Sequence, residues 1–206
     1  MGKFSAYLEE KKAHRQNRHR KILTVFSVTI IVIILIVTAI GAWVYHKNTR
    51  FVSLETLWRE SSYIHVVKSD YKLFLFNDRW KFFRSVVMQD HSGNIKQYRV
   101  AIGKNPGDKQ YSGDMRTPQG LFLIEEFHDA RTWEHDFGDG KGNIKNAYGP
   151  WFMELRTGWE GIGIHGTHDN KTLGTMDTEG CVRLRNNELV ELKSLVHINT
   201  PVYISP

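Results

Sequence analysis

From Tyr63 onward, short runs of β-branched and aromatic residues alternate with turn-forming residues. YIHVVKS, YKLFLFND, WKFFRSVVMQD and QYRVAIGK read as successive strands, with SDYK, NDR and HSGN as the turns between them. Side chains on a strand point alternately to its two faces, so the polar–apolar alternation in LFLFN and IKQYRVAI fits half-buried antiparallel strands. After the glycine- and proline-rich GKNPGDKQYSGDMRTPQG, another strand is expected from about Gly120, and two more in PWFMELRT and GIGIHGT. Residues 128–146 contain FGDGKGN, are too rich in glycine for a helix, and are expected to form a surface loop. The period changes once more near the end. NNELVELKSLV places Leu189, Leu192 and Val196 on one helical face, with Asn186 or Asn187 as cap and Glu188 in the first turn, before TPVYI closes the chain as a strand. A brief helix, LETLWRE, with Ser53 as its cap, precedes the strands. The pattern predicts one mainly β domain with one or two helices.

A different pattern occupies the first quarter of the chain. ILTVFSVTIIVIILIVTAIGAWVY, from Ile22 to Tyr45, carries no charge over 24 residues. At about 1.5 Å per residue it reaches about 36 Å as a helix, enough to cross the roughly 30 Å hydrocarbon core of a bilayer. It exceeds the roughly 7–15 apolar residues of a cleaved signal, so an uncleaved anchor is expected. Seven Lys/Arg precede it (Lys3, Lys11, Lys12, Arg15, Arg18, Arg20, Lys21), against Lys47, Arg50 and Arg59 beyond it. That bias keeps the N-terminus in the cytoplasm and places residues 46–206 on the far side of the inner membrane. The expected division is a basic arm at 1–21, a transmembrane helix at 22–45, a linker at 46–61 and a folded domain at 62–206.

Charge and cysteine content narrow the chemistry. The net charge of +6 resides almost wholly in the N-terminal arm, so the folded part is nearly neutral and offers no basic patch for nucleic acid. Cys181 is the single cysteine. In a compartment that oxidises thiols into pairs, a thiol with no partner in its own chain points to chemical use.

Two glycine-flanked segments lie close to that thiol: GIGIHGTHDN at 161–170 and TEGCVRL at 178–184. His165 and Cys181 are sixteen residues apart, a separation one loop can close. An imidazole beside a thiol lowers the thiol pKa from about 8.5, favours a thiolate–imidazolium pair, and later returns the proton to a leaving amine. Gly166 and Gly180 let backbone approach the site, and amides around Cys181 suit an oxyanion. The same residues also fit a buried structural cysteine, and spacing alone leaves the two readings level. No metal site is expected. His165 and His168 form a bare HxxH, and Asp169 with Cys181 fits no zinc spacing. DFGDGKGN lacks the ligand pattern and closing glutamate of a calcium loop.

IHGT, then Gly174, then T-x-G-C-V-R resembles the signature of the L,D-transpeptidase catalytic-domain family. The resemblance extends upstream through YIHVVKSDYKLFLF, VAIGK and GDMRTPQGLFLI and downstream to TPVYI, covering about Ser62 to Pro206. It implies a β-sandwich domain acting on peptidoglycan stem peptides, as donor and acceptor, without a cofactor. Cys181 would be the nucleophile and His165 the general base and acid, with the Gly166 carbonyl orienting the imidazole. Arg183, Thr178 and Gly180 would contact substrate. A structural ion pair for Arg183 and a turn-supporting role for Thr178 stand equally open. Many family members carry histidine before the Gly-Cys pair, where this chain has Glu179.

The implied reaction forms 3→3 cross-links through a Cys181 thioester. Water in place of the acceptor amine would make the protein a carboxypeptidase or hydrolase. A non-catalytic wall-binding module has no need for both His165 and Cys181, and a thiol redox protein lacks its second cysteine.

Overall fold

The central strand, β1 (Tyr63–Val67), buries all five of its side chains, so the sheet around it is covered on both faces. The computed structural model describes Thr38 and residues 54–206 apart from Asp139 and Lys141. Residues 1–47 and 48–206 form separate units, and the elements below belong to the second. β1 pairs antiparallel with β2 (Lys72–Phe76) and parallel with the last strand, β12 (Pro201–Ser205). The remaining strands, in chain order, are β3 (Lys96–Arg99), β4 (Ile102–Gly103), β5 (Gly120–Asp129), β6 (Glu134–His135), β7 (Ile144–Lys145), β8 (Trp151–Leu155), β9 (Gly163–His165), β10 (Met176–Thr178) and β11 (Val182–Arg183). Eight of the twelve form one sheet in the order β11-β9-β8-β5-β12-β1-β2-β3.

This sheet curls. Leu73 and Tyr98 near one end and Ile164 and Val182 near the other share one core with Ile64, Leu189 and Leu192. The chain leaving β3 then reaches the opposite edge, where Ala101 and Arg183 exchange two backbone hydrogen bonds of 2.9 Å each. β4 and β10 pair beside this junction. The mainly β character agrees with the pattern of the sequence, but the strands form a single curled sheet where a sandwich of two sheets was expected. Backbone pairing at Ala101 ties its ends.

Three α-helices flank the sheet: α1 (Leu54–Arg59), α2 (Arg79–Met88) and α3 (Asn186–Leu195). α3 packs inside the curl through Leu189 and Leu192. α1 and α2 cover the outer face, where Leu57 and Phe82 join Tyr63, Phe76 and Leu121. The α2 segment, WKFFRSVVMQD, is therefore helical where its aromatic and β-branched content predicts a strand. Asp78 caps it, accepting from the Lys81 amide at 3.0 Å. Phe82, Phe83 and Val86 fall at helical spacing on the sheet side.

Two further expectations are corrected. Residues 128–146 are not wholly loop: β5 runs to Asp129, and β6 pairs with β7 in a two-rung hairpin around the glycine-rich tip. At α3 the cap position is Arg185, without a side-chain cap bond. Asn186 Oδ1 instead accepts from the Thr167 amide at 2.7 Å. Among the described residues no helix is long and apolar enough to cross a membrane. Ser53, the basic arm at 1–21 and the expected span at 22–45, save Thr38, lie outside them.

Candidate active site

β9 and β11 are parallel neighbours, with Ile164 opposite Val182 and His165 opposite Arg183. Alternation sends Ile164 and Val182 into the core and leaves His165, Arg183 and the preceding Cys181 on the other face. There His165, Cys181 and Arg183 border one cavity of about 220 Å³, together with Thr178 and Glu179.

The turn before Cys181 is set by Thr178. Its buried hydroxyl donates to the Cys181 carbonyl at 2.6 Å and accepts from the Gly180 amide at 3.2 Å. Both bonds lie within the turn, as the turn-support reading expects. Gly180 has φ 136°, and a Cβ there would lie 2.9 Å from the Arg116 carbonyl, so glycine is required by conformation and by space.

His165 is held as tightly. Its Nδ1 donates to the Gly166 carbonyl at 2.7 Å, which leaves Nε2 as the basic nitrogen of the neutral ring. Tyr148 meets the ring edge-on at 4.9 Å between centroids, and Phe152 stacks on it at 5.7 Å and 12°. The Gly166 amide donates to the Tyr148 carbonyl at 2.8 Å. A Cβ on Gly166 would collide with Asn186 Oδ1 and come 3.1 Å from Gly149 Cα, so this backbone packing needs glycine.

Burial dominates the electrostatics. It pushes the His165 imidazole down to about 3, with the Arg183 charge adding to the effect and the Gly166 hydrogen bond opposing it. It also pushes the Cys181 thiol up to about 11, against the Gly163 amide and Arg183. The thiol donates to the Gly161 carbonyl at 3.2 Å. Burial thus favours a neutral thiol and a neutral imidazole over the expected thiolate–imidazolium pair, because low-dielectric surroundings penalise both charges.

Arg183 is buried, and its Nη1 donates to Asp177 Oδ2 at 2.7 Å and Thr172 Oγ1 at 2.8 Å. Its ion-pair reading thus has geometry behind it, while its buried Nε has no hydrogen-bond partner. Arg183 also borders a second pocket with Lys104, His168 and Asp169. Glu179 faces His135 of β6, with Oε2 3.1 Å from Nε2. Lys109, Phe137, Tyr148 and Glu160 line the same cavity without having been singled out in the sequence. No local signal marks Lys109, Phe137 and Tyr148, which lie 17 or more residues from both His165 and Cys181, whereas Glu160 directly precedes the GIGIHGT segment.

His168 sits beside Phe137, at 5.2 Å between rings, with Nδ1 3.4 Å from the Ala147 carbonyl. Among the described residues, the group with metal-ligand types in reach of one another is Glu126, His128 and Glu154 on β5 and β8. There His128 Nε2 is already engaged by Glu154 Oε2 at 2.8 Å.

The family profile of the L,D-transpeptidase catalytic domain (YkuD) matches residues 61–204. The chain belongs to that family. YkuD of Bacillus licheniformis, named as a candidate L,D-transpeptidase, is 26% identical over 123 residues, covering 60% of this chain and 61% of the relative. YqjB of Bacillus subtilis strain 168, named in the same way, is 30% identical over 111 residues, covering 52% and 58%. The chain thus matches little more than half the length of these curated relatives. An L,D-transpeptidase from Mycobacterium smegmatis shares the fold with a TM-score of 0.50 at 12% identity, over 71% of this chain and 59% of that one.

A thiol held at about 11 carries little thiolate at neutral pH, and the thiolate fraction grows as pH rises. Alkylation of Cys181 by iodoacetamide should therefore accelerate continuously with pH, with a midpoint above that of free cysteine at about 8.5. A rate that is already level below about pH 7 would show a preformed thiolate pair.

Proposed function

We propose that this protein is a membrane-anchored L,D-transpeptidase that joins peptidoglycan stem peptides. One observation carries this: His165 and Cys181 border a single cavity, with Nδ1 committed to the Gly166 carbonyl so that Nε2 is the nitrogen able to take a proton. Membership of the family supports the substrate class.

The neutral resting pair sets the order of events. Cys181 Sγ attacks the carbonyl between the diamino acid and the terminal D-alanine of a tetrapeptide stem as its proton passes to His165 Nε2. Backbone amides beside Cys181 stabilise the oxyanion. On collapse the C–N bond breaks, the imidazolium gives its proton to the departing D-alanine amine, and a thioester on Cys181 remains. The side-chain amine of a second stem then attacks the thioester and gives up a proton through His165. Cys181 leaves as the thiol, and a 3→3 cross-link has formed. Energy for the new amide comes from the amide broken, so neither ATP nor a cofactor is consumed. Burial favours this sequence, since His165 bears charge only between attack on the carbonyl and collapse of each tetrahedral adduct.

Incubating the full-length protein with tetrapeptide muropeptides and resolving products by mass spectrometry tests the reaction. Cross-linked dimers with release of D-alanine are expected, and none from Cys181→Ala. Bare tripeptide in place of dimers would show that water resolves the acyl-enzyme, making the protein a carboxypeptidase. No product of either kind would sink the enzyme assignment.

We also propose that residues 22–45 anchor the chain in the inner membrane, with the catalytic domain extracytoplasmic, on the strength of the uncharged span and the basic arm before it. Protein recovered from membranes should retain its original N-terminus. A mature chain starting beyond residue 40 would mean that the segment is a cleaved signal.

A further inference from the structure

The β6–β7 hairpin supplies Phe137 to the wall of the catalytic cavity. Two rungs, Glu134 with Lys145 and His135 with Ile144, are too few to hold a hairpin by themselves. Its base is fixed by Trp133, whose ring packs on Phe152 at 5.6 Å and Tyr148 at 5.9 Å. Further out, His135 packs edge-on against Phe137 at 4.6 Å and meets Tyr148 at 5.6 Å. Its Nε2 lies 3.1 Å from Glu179 Oε2. Among the described residues, this hydrogen bond joins the hairpin to the turn that carries the nucleophile. Glu179 stands between Thr178, which shapes that turn, and Gly180, so its backbone is fixed while its side chain, 37% exposed, reaches the hairpin.

We propose that His135 and Glu179 form a latch that holds the β6–β7 hairpin as a wall over Cys181, with Glu179 acting as a positioning residue that controls entry to the nucleophile. In this arrangement Cys181 is 9% exposed and shares its cavity with Phe137 of the hairpin. Admitting a branched peptide requires the hairpin tip to lift, and the glycines at 138, 140 and 142, all with positive φ, provide the turn between the two rungs. Breaking one partly exposed hydrogen bond, while Trp133 keeps the base in place, opens the cavity without unfolding the domain. The carboxylate also acts on the thiol directly. Glu179 disfavours the Cys181 thiolate, and the His135 contact draws its charge toward the hairpin.

These two effects predict opposite results when His135 is removed, which makes the latch testable. It rests on the reading of Cys181 as the nucleophile of the proposed reaction, but alkylation needs no stem peptide, so either can fail without the other. Full-length His135→Phe, which keeps an aromatic ring against Phe137 and Tyr148, would be treated with iodoacetamide and Cys181 modification followed by intact mass. The latch predicts alkylation about two- to fivefold faster than in the unmodified chain, the range expected from losing one partly exposed hydrogen bond. Electrostatics without a latch predicts slower alkylation, because an unpaired carboxylate would remain beside the sulfur. Exchanging the partners, His135→Glu with Glu179→His, should bring the rate back to its original value.

Hydrogen exchange should show faster amides over 134–146 in His135→Phe, with β1 and β12 still protected. If those strands lose protection, His135→Gln replaces the variant and the same comparison decides. An unchanged or slower alkylation rate, or an exchanged pair as fast as the single variant, overturns the latch.

Discussion

The site depends on the parallel pairing of β9 with β11. Those two short strands set His165 opposite Arg183 and Ile164 opposite Val182, so one register decides both the core and the chemistry. A slip of one residue would turn Ile164 and Val182 toward the cavity and His165 and Cys181 into the core. The register is secured from both sides. The Arg183 backbone is tied to Ala101 at the junction of the curled sheet, and the Leu184 amide donates to the His165 carbonyl at 2.8 Å. The curl of the whole domain is thus what delivers β11 to β9, with sheet closure and catalytic geometry sharing the same hydrogen bonds.

Given that register, burial does the chemical work. Tyr148 and Phe152 enclose His165 while Cys181 faces the Gly161 carbonyl, and burial disfavours charge on both. A neutral thiol is a poor target for stray oxidants and electrophiles. In the proposed reaction it becomes nucleophilic only when substrate and imidazole meet it together. Two charged side chains at the cavity have ion-pair partners, Arg183 with Asp177 and Lys109 with Asp114, and Glu179 Oε2 lies 3.1 Å from His135 Nε2. The unpartnered Arg183 Nε is the exception, a buried donor at the boundary of two pockets.

Much of this is legible in the chain itself, for identifiable reasons. Strands with clear alternation, such as YKLFLF and TPVYI, occupy the places their pattern assigns, and IHGT and TEGCVRL place His165 and Cys181 at one cavity. Local composition misleads where it is ambiguous. WKFFRSVVM is aromatic and β-branched enough for a strand, yet its pairs Phe82–Phe83 and Val86–Val87 recur at four-residue spacing and Asp78 supplies a cap, so helix wins. Asn186 has the side chain of a helix cap, but the Thr167 amide near the site claims its oxygen. Contacts made across long separations leave no local trace at all. The Ala101–Arg183 closure uses only backbone, and Glu179 meets a histidine 44 positions away.

The central claim is that Cys181 forms a covalent acyl-enzyme with a stem peptide. Intact-protein mass spectrometry during incubation with a tetrapeptide stem and no acceptor tests it most directly. The account predicts a transient gain equal to the stem lacking its terminal D-alanine, mapped by peptide digestion to Cys181 and absent from Cys181→Ala. A stem that is turned over while Cys181 stays unmodified, or an adduct on any other residue, would contradict it.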